Sequence, residues 1–263
     1  MKYLDVHAHV FPENIAEKAV GFLESYYECK WEGTGLEQDL VESILAAKIT
    51  KCIIFSSATK EAQVRNINNY IAALQKKYPH LFIGFGTMHR DFADYGAELA
   101  RIRLLGLKGL KFHPDFQNFY VDDPKMMSIY EAAGEDFPML FHIGDKKSPF
   151  SSPARLRNVL HTFPRHRIIA AHMGGYSQWN EAWKYLIGTP VYMDISSTIR
   201  YIGKEETRKL VLAHGPEKVL FASDYPAVRH KEAIEDVLSL DLGNEINEMI
   251  FYKNAQKVLN ISL

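Results

Sequence analysis

The sequence predicts a single (β/α)8 TIM barrel, and three observations carry that expectation. Short β-rich runs alternate with longer amphipathic segments from end to end, the order that gives a parallel sheet covered by helices. The chain has 263 residues, close to the roughly 250 of one such barrel. No composition break or low-complexity tract marks a linker, so residues 1–263 read as one domain.

The first strand is expected over Tyr3 to His9. Residues 11–35 then fit neither element, because Phe22, Tyr26, Tyr27 and Trp31 are interleaved with Glu and Lys. A loop of that length commonly serves as a lid or binding loop. The same aromatics would equally suit packing on the barrel rim or a homodimer contact. A helix follows over Glu37 to Lys48, with Leu40, Ile44 and Ala47 on one face at helical spacing. Strands are then expected at Lys51–Ser56, Leu81–Met88, Leu107–His113 and Phe137–Ile143. Arg167–His172, Val191–Ser196 and Val219–Asp224 complete the eight. Helices are expected between them at Glu61–Lys77, Ala93–Leu104, Pro124–Gly134, Pro153–Phe163 and Lys204–His214. Glu245–Leu259 closes the chain. Two of these helices carry proline at their start, where its missing N–H costs little.

Composition narrows the partner. Hydrophobic residues make up 47% of the chain, enough for a large core. The formal net charge is −1 with no Arg cluster, so neither nucleic acid nor an anionic membrane is expected. A small-molecule substrate is the default. No apolar run reaches the roughly 18 residues of a membrane span, and Met1-Lys2 leads straight into strand-like sequence without a leader. A cytoplasmic setting is the expectation. Cys29 and Cys52 give no disulfide framework, and Cys52, inside an apolar run, reads as a core thiol.

Active sites of these barrels lie at the C-terminal ends of the strands, and polar residues close several of them here. The first strand ends Asp5-Val6-His7-Ala8-His9, and alternation puts His7 and His9 on one face. The fourth ends Lys111-Phe112-His113-Pro114, the fifth Phe141-His142, the sixth Ala171-His172-Met173 and the eighth Ser223-Asp224-Tyr225. Five of the eleven histidines therefore fall at strand ends on one side of the barrel. A lone His-x-His is a weak signal, since strand histidines are more often structural. Repeated delivery of His or Asp in barrel order is a much stronger one. Neutral imidazoles and a carboxylate suit a catalytic Zn2+, with Mn2+, Fe2+ or cobalt accepting the same donors.

These stretches, with Gly-Leu-Lys-Gly-Leu-Lys-Phe-His-Pro at 106–114, Phe-His-Ile-Gly at 141–144 and Ala-Ser-Asp-Tyr-Pro at 222–226, resemble the amidohydrolase superfamily. Within it the likeness is to the branch that groups metal-dependent hydrolases with non-oxidative decarboxylases. The resemblance implies that His7, His9, His142 and Asp224 ligate one divalent metal, Zn2+ first, and that His172 and Asp224 are catalytic. It implies a single ion rather than two bridged by a carboxylated Lys111. Lys111, His113 and Arg200 are weaker candidates for substrate contact, with a structural or solvated role as the plainer alternative for each. Asp5 would buttress a metal-bound histidine or the barrel floor. His89, Lys146, Arg229 and His230 read as loop or surface groups, as do His80, His161, His166 and His214.

The leading expectation for function is hydrolysis of a small amide, ester or lactone by metal-activated water. Decarboxylation of a hydroxylated or unsaturated acid is the alternative, and the compact length weighs towards hydrolysis. A barrel that has lost catalysis and only binds is opposed by the intact set of candidate ligands.

Overall fold

The computed structural model describes residues 1–263. All eight expected strands are present: β1 Leu4–His9, β2 Lys51–Phe55, β3 Phe82–Gly84, β4 Leu110–Phe112, β5 Met139–Phe141, β6 Ile168–Ala170, β7 Tyr192–Asp194 and β8 Val219–Leu220. Every paired neighbour is parallel, with β1-β2-β3 forming one run and β4 to β8 the other. Backbone hydrogen bonds cross both seams between the runs. Gly86 N–H donates to the Gly109 carbonyl and Lys111 N–H to the Gly86 carbonyl, both at 2.8 Å. On the other side Val6 N–H reaches the Phe221 carbonyl at 3.1 Å and Asp224 N–H the His7 carbonyl at 2.9 Å. β1 thus lies beside β8, in the order of a TIM barrel.

Alternation along the strands divides the core in two. Leu4, Val6, Ile53, Phe55, Leu140, Ile169 and Leu220 form an inner cluster, closed by Ala255, Val258 and Leu259 of the C-terminal helix. Cys52, Ile54, Leu110, Phe112, Met139, Phe141, Ile168 and Ala170 belong to the larger cluster that the helices cover. Strands buried on both faces read as apolar runs, which is why three-residue strands suffice here.

β1 departs from strict alternation. Its register against β2 shifts between Asp5 and Ala8, and Ala8 falls in the outer cluster although Leu4 and Val6 lie in the inner one. The irregularity reverses the parity of the strand, so His7 and His9 face inward after Val6. Bulges beside active sites commonly re-aim side chains in this way.

The helices are α1 Glu13–Tyr27, α2 Glu37–Ala46, α3 Val64–Lys77, α4 Tyr95–Leu104, α5 Pro114–Gln117 and α6 Pro124–Ala133. They continue with α7 Pro153–Thr162, α8 Trp179–Tyr185, α9 Thr198–His214, α10 His230–Leu238, α11 Asn244–Glu248 and α12 Asn254–Leu259. α1 corrects the loop expected over residues 11–35: most of that segment is a helix of 15 residues. Ala16 is its one buried residue, so no apolar stripe marks it in the sequence. No helix is long and apolar enough to cross a membrane.

Two local devices hold the strand ends in place. After β4, the Gln117 side chain of α5 accepts from His113 N–H at 2.8 Å and donates to the carbonyls of Ala58 and Met88. After β5, Gly144 adopts φ +100, and a Cβ there would stand 2.6 Å from the backbone carbon of Gly175. Only glycine permits so close an approach, which draws the β5 and β6 loops together.

Candidate metal centre

Three donor atoms from β1 and the segment after β8 converge at the inner rim. His7 Nε2 lies 3.1 Å from His9 Nε2 and 3.1 Å from Asp224 Oδ1. His9 Nε2 is 3.6 Å from the same carboxylate oxygen. On its other edge, His7 Nδ1 sits 2.9 Å from Asp194 Oδ2 inside the fully buried end of β7. An ionised carboxylate only accepts, so the proton of neutral His7 resides on Nδ1 and the Nε2 lone pair faces His9 and Asp224. Such a carboxylate–histidine pair is the usual support of a metal-binding imidazole. Two imidazoles and one carboxylate gathered this way fit a divalent transition metal.

The electrostatics of Asp194, Asp224 and His9 agree with that reading. His7 differs: burial and Lys111 oppose its proton, and the Asp224 and Asp194 carboxylates outweigh them, raising its pKa. Burial opposes charge on Asp194, yet the His7 imidazole and its hydrogen bonds hold the carboxyl below its ordinary range. Burial likewise opposes charge on Asp224, and His7 and His172 outweigh it, leaving that carboxyl well below the usual value. Burial lowers His9 to about 4, which leaves its imidazole neutral at physiological pH.

The remaining histidines line the cavity above. His172 Nε2 is 3.1 Å from His142 Nδ1, and His172 Nδ1 is 3.0 Å from Ser196 Oγ. His113 stacks on His142 with ring centroids 4.1 Å apart, and its Nε2 lies 3.0 Å from the Tyr27 hydroxyl. His9, His113, His142, His172 and Asp224 share one cavity of about 290 Å³. His142 is on that cavity but does not join His7, His9 and Asp224, the three whose donors lie within 4.8 Å of one another. Its Nε2 is buried without a hydrogen-bond partner.

The substrate-contact candidates separate. His113 lines the cavity, as expected. Lys111 does not: it is fully buried beneath the site, with Nζ 3.2 Å from His7 Nε2 and 4.8 Å from the Phe55 ring centre. Burial, opposed by Asp194 and Asp224, brings its pKa down to about 7. Arg200 borders the cavity, but its guanidinium is engaged by Glu32 at 2.6 Å and Asp236 at 2.8 Å.

Several functional residues went unrecognised in the sequence. Asp194 is the foremost. It holds His7, accepts from the backbone N–H of His172 at 3.0 Å and of Ser196 at 3.1 Å, and so ties β7 to two other strand ends. A carboxylate inside the expected Val191–Ser196 strand, two residues from its end, is the available signal. Asp5, by contrast, does not hold an imidazole of the site. Its Oδ1 accepts from the backbone N–H of His7 at 2.8 Å and of Ser223 at 3.1 Å, bracing β1 against β8. His230 and His214 are buried rather than at the surface; His230 Nε2 lies 3.1 Å from Asp5 Oδ2, and His214 Nε2 lies 2.9 Å from the Val191 carbonyl. The cavity is also lined by aromatic side chains, Tyr27, Trp31, Tyr176 and Tyr201, with the Tyr176 ring 5.5 Å from His142 and 5.6 Å from His172.

Left-handed backbone occurs at this rim, among ten non-glycine positions with positive φ along the chain. His172, Ser197 and Asp224 have φ of +57, +59 and +59, in the left-handed region that non-glycine residues seldom enter. Strain of this kind concentrates where surrounding structure over-determines a functional geometry.

Eight parallel strands with imidazoles and a carboxylate gathered at their C-terminal ends define a TIM barrel whose rim carries a group of side chains that could hold a metal ion. The chain belongs to the amidohydrolase family, whose model matches residues 4–261. Among solved structures, an uncharacterized TIM-barrel protein from Bordetella bronchiseptica is similar with a TM-score of 0.81 and 19% identity, covering 99% of each chain. The 5-carboxyvanillate decarboxylase of Sphingomonas paucimobilis matches with a TM-score of 0.72 and 15% identity, again over 99% of both chains. A dihydroxybenzoic acid decarboxylase from Polaromonas sp. JS666, holding manganese, gives 0.75 and 17%, covering 98% of this chain and 97% of that one. At these identities the likeness is one of fold. No curated protein sequence matches the chain.

Proposed function

We propose that this protein is a metal-dependent, non-oxidative decarboxylase of a small hydroxylated aromatic or unsaturated carboxylic acid. The observation that carries the reading is the cavity itself. It measures about 290 Å³ and is lined by Tyr27, Trp31, Tyr176 and Tyr201 together with His172 and Asp224. Small-molecule sites begin at about 300 Å³, so the space suits one substituted ring. The rings of Tyr27 and Tyr176 meet edge to face at 5.2 Å, as do those of Tyr176 and Tyr201. A planar substrate would stack against those rings. The decarboxylases among the similar structures support the same chemistry.

His7, His9 and Asp224 would hold the cation, Mn2+ or Zn2+, with His142 and His172 as further imidazoles on the same cavity. When bound, it supplies Lewis-acid charge that draws electron density from a substrate oxygen. The reaction breaks the bond between the carboxyl carbon and its neighbour, releases CO2, and requires one proton at the carbon left behind. Burial keeps both His142 and His172 neutral, so the pair, joined at 3.1 Å, would not store a proton but relay one taken up from solvent at the cavity mouth. Tyr27 and Tyr176, which line the same cavity, would shield that carbon from bulk water.

Hydrolysis of an amide, ester or lactone calls on the same donors. The ground that weighed towards it was chain length, on the view that decarboxylases carry larger insertions. Against it, the decarboxylases among the similar structures match this chain from end to end, the Sphingomonas enzyme over 99% of each chain. A panel of hydroxybenzoates, unsaturated acids, lactones, amides and esters, assayed with added Mn2+ or Zn2+, decides between them. We expect CO2 in equal amount to acid consumed. Turnover of a lactone, amide or ester without CO2 would overturn the proposal.

A further inference from the structure

We propose that His230, locked by Ser43 and acting through Asp5, is a positioning residue that holds His7 and Asp224 where they can share a cation. The chain of contacts begins outside the cavity. Ser43 lies in α2, and His230 opens α10. Ser43 Oγ accepts from the His230 backbone N–H at 3.2 Å and lies 2.8 Å from His230 Nδ1. On the other edge of the ring, His230 Nε2 lies 3.1 Å from Asp5 Oδ2. An ionised carboxylate only accepts, so Nε2 carries a proton and the Ser43 hydroxyl donates to Nδ1. Asp5, His230 and Ser43 are all buried, and the Tyr225 ring stacks on His230 with centroids 5.8 Å apart. The imidazole therefore has both nitrogens engaged and one face covered.

What it holds is the irregularity in β1. Asp5 pairs with Cys52 and Ala8 with Ile54, three steps along β1 against two along β2. Val6 N–H and His9 N–H both reach the β8 side, at the carbonyls of Phe221 and Tyr225, an odd spacing that regular alternation cannot give. The extra residue of such a bulge loses its place in the ladder. Here the N–H of His7 is taken by Asp5 Oδ1 at 2.8 Å, a bond that aspartate commonly makes two residues ahead. The same oxygen accepts from Ser223 N–H at 3.1 Å, and Ser223 Oγ donates to Oδ2 at 2.5 Å. Ser223 Oγ in turn accepts from Tyr225 N–H at 3.0 Å. One carboxylate thus fixes His7 and, through Ser223 and Tyr225, the two neighbours of Asp224.

A buried carboxylate is tolerated only while its oxygens are paired. Of the donors to Asp5, His230 is the one that comes from outside β1 and the segment after β8. Without it Oδ2 keeps Ser223 alone, and the carboxylate that clamps the bulge is free to turn. Metal donors must sit within about 0.2 Å of their places. His7 Nε2 and Asp224 Oδ1 now lie 3.1 Å apart, and slack in either weakens binding. The inference rests on His7, His9 and Asp224 holding a cation, and not on decarboxylation.

Isothermal titration of the full chain with MnCl2, together with the visible absorption of Co2+-loaded protein, tests it. His230→Leu is expected to weaken Mn2+ binding about tenfold, the scale for residues that orient a metal ligand, and to alter the Co2+ bands. His230→Gln restores an N–H donor towards Asp5 and should recover most of the affinity. His214→Leu removes another buried histidine, whose Nε2 lies 2.9 Å from the Val191 carbonyl, and should change neither readout. Wild-type affinity and bands in His230→Leu would overturn the proposal, as would a His230→Gln variant no better than His230→Leu. Should His230→Leu fail to fold, Ser43→Ala takes its place. It is expected to bind about threefold more weakly, the scale of one hydrogen bond, and unchanged affinity would overturn the proposal. A wild type that binds no Mn2+ would remove the metal centre and this proposal with it, whereas equal binding by wild type and variant removes the proposal alone.

Discussion

Exchanging Asp224 for asparagine is expected to strip the metal and slow turnover by roughly 10³-fold, the scale at which metal activation and proton transfer are lost together. Asp224 Oδ1 is the only carboxylate oxygen within reach of both His7 and His9, at 3.1 and 3.6 Å. Asparagine keeps the size of the side chain and tolerates the left-handed backbone at this position, where φ is +59. It can also still accept from the Ser197 hydroxyl, 2.9 Å from Asp224 Oδ2. What it removes is the negative charge facing two imidazoles. Metal content by mass spectrometry and kcat with saturating Mn2+ read the effect. Metal and rate within twofold of wild type would exclude Asp224 as a ligand.

Asp194→Asn is expected to weaken metal binding by roughly 10- to 100-fold while the barrel remains folded, as for other residues that orient a metal ligand. The division of labour between the two oxygens explains why. Oδ1 accepts from His172 N–H, Ser196 N–H and Ser196 Oγ, and Oδ2 faces His7 Nδ1 alone. Asparagine can keep its carbonyl oxygen on the first group, which preserves the backbone ties. Its amide then points N–H groups at His7 Nδ1, and the imidazole answers by carrying its proton on Nε2. The lone pair that would bind the cation is lost. Losing a charge-assisted hydrogen bond costs about 1.5–3 kcal/mol, so a modest fall in melting temperature should accompany the change. Isothermal titration with Mn2+ and circular dichroism separate the two effects. Unaltered affinity would show that Asp194 supports structure only.

Much of this centre could be read from the chain, for reasons that differ by residue. His7, His9, His142, His172 and Asp224 stood out because barrels expose strand ends, and each residue closes or directly follows an apolar run. The inward aim of His7 and His9 came out as expected, but alternation alone did not secure it. With Leu4 and Val6 inside, a regular strand would have turned both histidines outward, and the irregularity in β1 reverses them. No local sequence signal announces that shift. α1 escaped notice because a helix lying over a barrel mouth buries little, and an apolar stripe is the mark by which helices are found. Asp194 escaped because a carboxylate between strand residues reads as a solvated group until a buried imidazole is placed beside it. Lys111 was assigned to the cavity by its position on β4. Its side chain instead ends against His7 and Phe55 below the cavity, a distinction that depends on depth within the barrel rather than on which face it occupies.

The claim on which the rest depends is that His7, His9 and Asp224 share one cation. Anomalous diffraction from a crystal loaded with Mn2+ or Zn2+, collected on both sides of the metal's absorption edge, addresses it directly. The account predicts a peak lying between His7 Nε2, His9 Nε2 and Asp224 Oδ1, at about 2.0–2.2 Å from each for zinc. A fully loaded crystal with no peak among those three atoms would contradict it.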